Sequence, residues 1–547
     1  MNKTLKGFLI GTMSSVAVLI IVAASNGDDY ERGKNLDIFF NVFRDVNLMY
    51  VDKPNSEKMV KSALTAMLKD LDPYTEYMAE SEYEKFQEVT TGKYGGVGAV
   101  ISKPLENEYA EVMEVVENSP AHKAGLVLGD KLVSVDNKDL KNVDNKAVSN
   151  ELRGDPGTII NLKYISFLTG EEKTVKIKRD RISTPAVRYY GYVDKAAGVG
   201  FIDFSIFSEN STAEVRSAIE ALRRDGELKS LILDLRSNGG GLLNEAVRMV
   251  SLFVDKGTEV VTVNGRSYDK PQVYNTMTDP IAKDIPLAIL VNSSSASSSE
   301  VVAGALQDLD RATIIGTRTF GKGLVQTPKD VGHGSVLKIT TAKYYTPSGR
   351  CIQAVDFSHR NEDGSVGNVP DSLKKEFLTK SGRKVYDGGG ITPDIEVAPE
   401  RYTRFTQNIA TMGTYTENFA KEYFKAHRTA PNIKTFSLSD ADLARFGESL
   451  KKEKFEVLSL TNYYIQKLKE SAKDEKYLSK IEEDLKGIEQ DMKVDIQEDI
   501  KLNKSDVKSL LEMDIIGAYY MERGKAEYFV ENDSLVKKTI DHLKKLF

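Results

Sequence analysis

Hydrophobic and polar positions change their spacing along the chain. Two early segments, "KNLDIFFNVFRDVNLMYVD" and "SEKMVKSALTAMLKDLDPYTEYM", place apolar residues at helical spacing, and Pro73 interrupts the second. From Lys93 the pattern becomes short alternating runs, such as "GVGAVIS" and "KLVSVD", with turn residues between them. We therefore predict a helical segment over 26–92 and a β-rich domain over 93–180.

From about residue 196, short apolar runs alternate with amphipathic segments. The predicted strands are "GVGFIDF", "KSLILDL", "LAILVN" and "ATIIG", and the predicted helices between them include "TAEVRSAIEALRR" and "SSEVVAGALQDL". Apolar strands separated by helices favour a parallel sheet that is covered on both faces. The predicted fold class is an α/β core with a parallel-leaning sheet over 181–400, a separate β-rich domain, and helical N- and C-terminal segments.

The tail, residues 401–547, is poor in glycine, and Pro431 is its single proline. Its Lys- and Glu-rich composition permits helices, and "KFEVLSLTNYYIQKLKESAK" carries an apolar stripe. Two interpretations remain open. The tail is either a helical region that packs on the body or an arm that forms a homodimer.

The N-terminus differs from the rest of the chain. Lys3 and Lys6 precede an 18-residue stretch without charges, "GFLIGTMSSVAVLIIVAA", which ends at Ala24. This length lies between a signal peptide and a membrane span. Residues 1–25 are therefore predicted to be a cleaved signal peptide or a signal anchor that holds residues 7–24 in the inner membrane. In both cases the body is exported.

Composition excludes several classes of function. The chain of 547 residues has a formal net charge of −6, which argues against a nucleic-acid partner. Its one cysteine, Cys351, cannot form an internal disulfide, and the five histidines are scattered without metal-ligand spacing. We expect no metal and no cofactor.

A serine cluster, "NSSSASSSEVVAGALQD", lies between a predicted strand and a predicted helix. The cluster is therefore a strand-to-helix turn and not a linker. In α/β sheets such turns lie where ligands bind, at the carboxyl ends of the strands. One serine could simply cap the helix, so the pattern alone leaves a cap and a nucleophile as alternatives.

Counting along the chain identifies a partner for this turn. A helix from about Ser297 to Asp308 runs about 18 Å at 1.5 Å per residue. The strand "RATIIG" then returns a similar distance, so the loop "TRTFGKG" brings Lys322 back towards the serines. A lysine base needs its pKa of about 10.4 lowered, which burial and a helix N-terminus can do. The competing base, His333, lies in "DVGHGSV", a predicted hairpin tip that faces solvent.

Two glycine-rich segments have different interpretations. "GTRTFGKG" lacks the Ser or Thr that completes a phosphate-binding loop, so a nucleotide site is not expected. "LDLRSNGGGLL" follows a predicted strand and precedes a helix, a position where backbone N–H groups can bind an oxyanion. The predicted donors are the N–H groups of Gly240 and Ser298.

The β-rich domain opens with the glycine-containing segment "YGGVGAVI". At the edge of a sheet such a loop can bind a terminal carboxylate while the ligand adds as a strand. The predicted residues for the substrate C-terminus are Gly96, Val97, Gly98 and Ala99.

Several motifs occur in order and together carry a family resemblance. "SPAHKAGLVLGDKLVSVD" looks like a PDZ domain, and "LDPYTEYM", "LDLRSNGGG", "SASSSEVVAGALQD", "GTRTFGKGLVQ", "TTAKYYTPSGRCIQ" and "GITPDIEV" resemble the C-terminal processing (tail-specific) serine peptidases of family S41. The resemblance covers roughly residues 35–400 and leaves the tail unassigned. It implies a PDZ domain over 93–180, a peptidase core over 181–400, and a periplasmic endopeptidase that binds protein substrates by exposed C-termini.

The same resemblance assigns catalytic roles by position. Ser297 becomes the nucleophile, Lys322 its base, and Gln326 the residue that orients the lysine. Some members are described with an acidic third residue, which would fall on Asp308. Because 11 residues of helix span about 16 Å, we do not expect Asp308 to act. Two rival classes remain: a PDZ scaffold without activity, and a Ser/His hydrolase that uses His333.

Overall fold

The computed structural model describes residues 27–104, 107–399, 401–412, 414–457, 460–492 and 495–546, and these form two compact units. The smaller unit comprises the described residues up to Glu80 together with Gln326–Thr340. It contains helices α1 (Gly27–Met49) and α2 (Ser56–Lys69) and strand β1 (Glu76–Met78), which pairs with residues 336–338. Helix α2 ends at Lys69, so it is shorter than the segment that the apolar pattern predicts to be helical. Strand β1, after Pro73, was not predicted.

The larger unit begins at Ser81, within helix α3 (Glu80–Thr91), and continues with the β-rich domain. The elements of this domain are β2 (Lys93–Gly96), β3 (Ala99–Ser102), β4 (Glu111–Val115), α4 (Pro120–Lys123), β5 (Lys131–Val135), β6 (Lys138–Asp139), α5 (Asn145–Leu152), β7 (Ile159–Ile165), β8 (Glu172–Lys178) and β9 (Asp180–Ser183). The main sheet has the order β3-β4-β5-β7-β8, and β2 pairs with β9. Strand β3 is therefore an edge strand, and Val100 on it is 49% exposed.

The α/β core follows with a six-stranded sheet. Its elements are β10 (Val187–Asp194), β11 (Val199–Phe204), α6 (Ser211–Asp225), β12 (Ser230–Asp234), α7 (Leu243–Val250), β15 (Leu287–Val291), α8 (Ser298–Asp308), β16 (Thr313–Gly316) and β23 (Ile395–Glu396). The strand order is β10-β11-β12-β15-β16-β23, and every pair except β10–β11 is parallel. The predicted α/β class with a parallel-leaning sheet is confirmed.

Further strands surround this sheet. They are β13 (Glu259–Asn264), β14 (Gln272–Asn275), β17 (Leu324–Gly332), β18 (Ser335–Tyr345), β19 (Val355–Arg360), β20 (Val366–Asn368), β21 (Glu376–Leu378) and β22 (Lys384–Tyr386). Both β17 and β18 cross between the two units, and the end of β18 pairs with β13 inside the larger one.

The tail is helical. Its helices are α9 (Arg404–Thr411), α10 (Tyr415–Ala426), α11 (Asp440–Lys452), α12 (Leu460–Asp474), α13 (Leu478–Asp491), α14 (Ile496–Leu502), α15 (Lys504–Asn532) and α16 (Ser534–Leu543). Several of them share an apolar cluster around Phe446 and Leu511. Residues from α15 and α16, including Val530, Val536 and Leu543, instead pack on the six-stranded sheet. The tail therefore completes the core of the larger unit.

Alternation of side chains along the parallel strands gives the sheet two apolar faces. Ile202, Leu233 and Ile289 pack with α6, α7 and α8 in one cluster. Phe201, Ile232 and Leu290 belong to the other cluster, with α15 and α16. The prediction of a sheet covered on both faces is confirmed, and its second cover comes from the distant tail.

The predicted signal or anchor, residues 1–25, lies outside the described residues. Among the helices that the structure does describe, none combines the length and the apolar character needed to cross a membrane.

Candidate active site

Ser297 lies at the point where β15 has ended and α8 begins. Its backbone has φ 56° and ψ −114°, a conformation that residues with a side chain rarely adopt and that is typical of functional turns. The residue is 6% exposed. Because the helix starts at Ser298, the candidate nucleophile stands at the positive end of the α8 dipole.

Neighbouring serines of the cluster have structural partners. The Ser295 hydroxyl donates to the Leu235 carbonyl at 2.8 Å. The Ser298 and Ser299 hydroxyls donate to the carbonyls of Gly241 and Asn238, both at 2.9 Å. These three serines therefore fasten the serine turn to the loop after β12, which we call the glycine loop (residues 235–242).

Glu300 organises the site, and we did not predict its role. Its Oε2 accepts the backbone N–H groups of Ser297 at 2.9 Å and Lys322 at 2.8 Å, so both residues are held by one buried oxygen. Its Oε1 accepts from the Thr319 hydroxyl at 2.6 Å and the Gly321 N–H at 2.7 Å. Burial raises the pKa of Glu300, and these four hydrogen bonds oppose that rise.

A sequence signal for Glu300 did exist. Ser297 and Glu300 form the Ser-x-x-Glu pattern of a helix capping box, in which the glutamate reaches back to the first N–H. The pattern predicts that contact. It does not predict that the same carboxylate also binds a loop about twenty residues further along the chain.

The loop "TRTFGKG" (residues 317–323), which carries Lys322, returns to the serine turn as the counting predicted. Lys322 is half-buried, between two buried glycines. A Cβ at Gly321 would lie 2.3 Å from the Cβ of Ala354, so this position requires glycine. The Gly323 N–H donates to the Gln353 side chain at 2.8 Å. The backbone on both sides of Lys322 is therefore fixed.

Tyr344 is a second site residue that the sequence analysis missed. It is 4% exposed, and its N–H donates to the Gly323 carbonyl at 2.8 Å. Burial raises the pKa of Tyr344 to about 12, although a hydrogen bond with the Ser297 side chain lowers it. The phenol therefore remains protonated at neutral pH, and a hydrogen bond that lowers its pKa is one that the phenol oxygen accepts from the Ser297 hydroxyl. It lies 47 positions after Ser297, too far for a local pattern to reveal.

The two predicted oxyanion donors have different outcomes. The Ser298 N–H is the first of α8, and no acceptor for it is found among the described residues. The Gly240 N–H instead donates to Asn238 Oδ1 at 2.9 Å, so it is not available to an oxyanion in this structure. Gly240 has a steric role, because a Cβ there would lie 2.9 Å from the Ser298 nitrogen and would fill the space beside that donor.

Gln326 and His333 belong to the smaller unit. Gln326 lies on β17, and its side-chain amide donates to the Thr340 hydroxyl at 3.2 Å. Its predicted contact with Lys322 stays a prediction. His333 is exposed in the turn between β17 and β18, with φ 53°, and the predicted hairpin tip is confirmed.

Asp308 lies at the last residue of α8 and is buried. It forms an ion pair of 2.7 Å with Arg350, which is equally buried, and accepts the Ser348 N–H at 3.0 Å. These contacts hold the far end of the helix, as expected for a residue three turns from Ser297.

Gly96, Val97, Gly98 and Ala99 lie together where β2 turns into β3. The carbonyls of Val97 and Gly98 accept N–H groups of Ala121 and Val116, whereas the N–H groups of Val97 and Gly98 have no acceptor in the described part of the chain. Gly98 has φ +80°, and a Cβ there would lie 2.3 Å from that of Ser119. This turn therefore presents backbone donors, although Gly96 itself pairs with Asp180.

A cavity of about 870 Å³ adjoins this turn, and we call it the PDZ groove. Ala99, Val100 and Ile101 of β3 line one side, and Asn145, Lys146 and Ser149 of α5 line another. An open strand edge facing a helix is the geometry that binds an extended peptide as an additional strand.

Three family models match this chain. Residues 198–359 match peptidase family S41, residues 111–165 match a PDZ domain, and residues 405–543 match the C-terminal helical domain of probable PDZ-proteases. These matches define a serine peptidase that carries a PDZ domain and a helical tail.

Curated relatives agree with the models. A carboxy-terminal-processing protease of Bartonella bacilliformis is 35% identical over 390 residues, which are 70% of this chain and 85% of the relative. A probable CtpA-like serine protease of Staphylococcus aureus is 38% identical over 352 residues, 63% of this chain and 69% of the relative. The chain therefore belongs to the carboxy-terminal-processing proteases of peptidase family S41.

A solved structure, the photosystem II D1 C-terminal processing protease, is 27% identical and covers 66% of this chain and 92% of its own. The TM-score of this pair is 0.35.

Proposed function

We propose that this chain is an exported endopeptidase that binds substrate C-termini in the PDZ groove and cleaves by a Ser297/Lys322 acyl-enzyme mechanism. One observation carries the catalytic proposal. The buried Glu300 carboxylate binds the backbone N–H of Ser297 and of Lys322 with one oxygen, which holds the two residues side by side at the start of α8.

In this mechanism Ser297 Oγ attacks the scissile carbonyl carbon while its proton moves to Lys322 Nζ. The Ser298 N–H donates to the oxyanion that forms. The C–N bond then breaks, and the leaving amine takes the proton from the lysine. Water, deprotonated by the same Nζ, hydrolyses the ester and restores Ser297. Tyr344 supports the first step because its hydrogen bond fixes the Ser297 oxygen.

The PDZ proposal is supported by the turn at Val97 and Gly98 and by the open edge of β3. The unpaired N–H groups suit a terminal carboxylate, and the exposed Val100 suits apolar side chains of an added strand. Peptides that end in a carboxylate should therefore be cleaved faster than the same peptides ending in an amide. Equal rates on the two peptides would contradict end recognition.

The catalytic proposal is tested by degradation of an unfolded protein such as β-casein. Ser297→Ala and Lys322→Ala should each lower turnover by at least about 10³-fold, and the double variant should be no worse, because the residues act as a unit. Lys322→Arg should fail as well, since a guanidinium cannot accept the proton.

Ser294→Ala is the matched control, because Ser294 belongs to the same cluster but is exposed. It should retain wild-type activity, and so should His333→Ala. Near wild-type cleavage by Lys322→Ala would refute the dyad, and a large loss in His333→Ala would favour a Ser/His hydrolase. A wild-type protein that binds peptides without cleaving them would favour the scaffold.

Export is proposed from residues 1–25 alone. A periplasmic reporter, such as alkaline phosphatase, fused after Ser25 should be active, and a fusion that lacks residues 7–24 should not. Fractionation would then distinguish a released reporter from one anchored in the inner membrane. The homodimer likewise stays a prediction, which light scattering of the full chain tests.

A further inference from the structure

The PDZ groove is lined in part by residues that do not belong to the PDZ domain. Helix α15 is interrupted at Met521, where φ is 58°, and Met521, Glu522 and Arg523 line the cavity together with Arg188 and Tyr190 of β10. The edge strand β3 lines the same cavity. A peptide bound along β3 therefore also meets charged side chains of β10 and α15.

Successive side chains of β3 point to opposite faces of its sheet. Ala99 and Ile101 pack against the apolar cluster inside the PDZ domain. Val100, between them, points to the face away from this cluster, which we call the outer face. Its partner on β4 is Glu114, and residues directly opposite each other in an antiparallel pair share a face. Val100 and Glu114 therefore lie side by side on the outer face.

A bound peptide continues this pattern as an added strand. With its carboxylate at the turn formed by Val97 and Gly98, its last residue lies beside Ala99 and its penultimate residue beside Val100. The penultimate side chain thus points to the outer face, two strand spacings, or about 10 Å, from Glu114. Lysine and arginine suit this distance, because their long apolar stems can lie along Val100 while the charged end reaches further.

The Glu114 carboxylate is half-buried and shares its cation with other carboxylates. Burial, and then Glu522, raise the pKa of Glu114 to about 7, and Lys525 opposes the rise. The Lys525 ammonium also lies 3.4 Å from an oxygen of Asp514 and 3.9 Å from one of Glu522. Glu417 lines a smaller cavity together with Glu114 and Lys525. Glu114 therefore retains the capacity to bind a further cation.

The cations that line the groove oppose this binding only weakly. Two of them are paired with carboxylates, Arg188 with Asp203 and Arg153 with Glu88. Lys146 on α5 and Arg523 on α15 are exposed, so water screens their charges. A charge on the outer face of β3 is therefore influenced most by the half-buried Glu114.

We propose that Glu114 makes the PDZ groove select substrates whose penultimate residue is lysine or arginine. This inference rests on the proposed function of the groove. Glu114 acts as a specificity-determining residue, which binds the substrate cation across Val100. The last residue of the substrate is apolar, because Ala99 and Ile101 line its side of the strand. The selected class is thus a protein chain that ends in a basic residue followed by an apolar one.

This selection depends on pH. Glu114 is mostly neutral below its pKa of about 7 and charged above it, so the preference for lysine should grow between pH 6 and pH 8. The charged and titratable groups that line the two cavities around Glu114 include those of His122, Arg188, Glu417, Asp514, Glu522, Arg523 and Lys525. Histidine can also titrate in this range, and Glu114→Gln separates the two effects because it leaves His122 in place.

The test measures peptide affinity in the full chain carrying Ser297→Ala, so that the peptides are not cleaved. Three fluorescent peptides with a free C-terminal carboxylate differ only in their penultimate residue, which is lysine, glutamine or glutamate. A fourth is the lysine peptide with a C-terminal amide. The measured quantity is the ratio of Kd values, glutamine over lysine. It should be about three to five at pH 8, the upper range for a pair at a surface, and close to one at pH 6.

Glu114→Gln removes the charge and keeps the shape of the side chain. This variant should bring the ratio close to one at both pH values, and it should bind the glutamine peptide as the unaltered groove does. The matched control is Glu117→Gln. Glu117 lines the same groove but is exposed, and it lies three residues beyond Glu114, about 10 Å along the strand direction. This control should retain the full ratio.

The outcomes are distinguishable. Equal affinity for the carboxylate and amide forms would overturn recognition of chain ends, and the selection with it. A preference for the carboxylate without a preference for lysine would overturn the selection alone. A preference for lysine that Glu114→Gln retains would overturn the role of Glu114. A preference for glutamate that is lost in Arg523→Gln would assign the position to Arg523 and would also overturn the proposal.

Discussion

The two faces of the six-stranded sheet are covered in different ways. One face carries α6, α7 and α8, each of which connects neighbouring parallel strands. The other face is covered by α15 and α16, and α15 begins at Lys504, 196 positions after α8 ends at Asp308. The first cover carries the turn of the candidate nucleophile Ser297, and the second completes the core and contacts the glycine loop. Local sequence order thus builds the site, while a remote segment stabilises and positions it.

Removal of the tail, which includes α15 and α16, should have the largest effect on folding. A chain truncated after Pro399 would expose Phe201, Ile232 and Leu290 to water, and we expect it to be insoluble or unfolded. A soluble, active truncated protein of halved mass would instead support the dimer arm and contradict this account of the tail.

A point variant sharpens the same test without deleting the tail. Leu543 is fully buried on the sheet, so Leu543→Ala should destabilise the protein by about 2–5 kcal/mol. Leu546, three residues later, is 52% exposed, and Leu546→Ala should leave the free energy of unfolding unchanged. Denaturant unfolding measures both.

On the face of the sheet that carries α6, α7 and α8, substitution of Glu300 should have the largest effect on stability and turnover. In Glu300→Gln an amide NH₂ would face buried donors that now bind a carboxylate, and each unsatisfied donor costs about 1–3 kcal/mol. We expect a loss of stability and a loss of turnover, because Ser297 and Lys322 share this residue. The control is Glu220→Gln on the exposed side of α6, which should change neither quantity. Wild-type turnover in Glu300→Gln would contradict the organising role.

Substitutions at Met521 should have a smaller effect on stability, and the usual order of alanine and glycine in a helix should be reversed there. In an ordinary helix glycine is about 1 kcal/mol worse than alanine. At Met521 the positive φ reverses this order, and Met521→Gly should be more stable than Met521→Ala by about 1–2 kcal/mol. Lys538 on α16 is an exposed helical control, where alanine should be the better residue. The ordinary order at position 521 would mean that the helix is continuous in solution.

The smallest expected effect is on the pH dependence of stability, through Glu114. Burial, and then the nearby Glu522 carboxylate, raise the pKa of Glu114 to about 7, whereas Lys525 opposes the rise. Between its ordinary value of 4.5 and about 7 the unfolded chain releases this proton and the folded chain keeps it. Stability therefore falls as pH rises through this range.

The variant Glu114→Gln should remove that part of the pH dependence. Its melting temperature should match the wild type at pH 4 and exceed it at pH 8. Glu117→Gln, at an exposed neighbouring position, should follow the wild-type curve. Parallel curves for Glu114→Gln and the wild type would show that Glu114 ionises normally in the folded protein.

The sequence predicted the parts of the site that depend on local order. The helix Ser298–Asp308 and the strand Thr313–Gly316 lie where periodicity placed them, and their lengths return Lys322 to the serine turn. Such counting works because each connection is short and each element is strongly apolar.

The parts it missed depend on contacts between distant segments. Tyr344 reaches Ser297 from a later strand, and the Gly240 N–H donates to the Asn238 side chain. The spacing of apolar residues does not predict which hydrogen-bond donor a polar side chain will bind. The apolar stripes of the tail likewise indicate that helices pack, but not that they pack on Phe201 and Ile232.

The central claim is that Ser297 is the nucleophile and Lys322 its base. Labelling with a fluorophosphonate, followed by peptide mapping, tests it most directly, because the reagent bonds covalently to an activated serine. The account predicts one adduct, on Ser297, whose rate of formation rises with pH as lysine loses its proton and is lost in Lys322→Ala. An adduct on another serine, or undiminished labelling of Ser297 in Lys322→Ala, would contradict it.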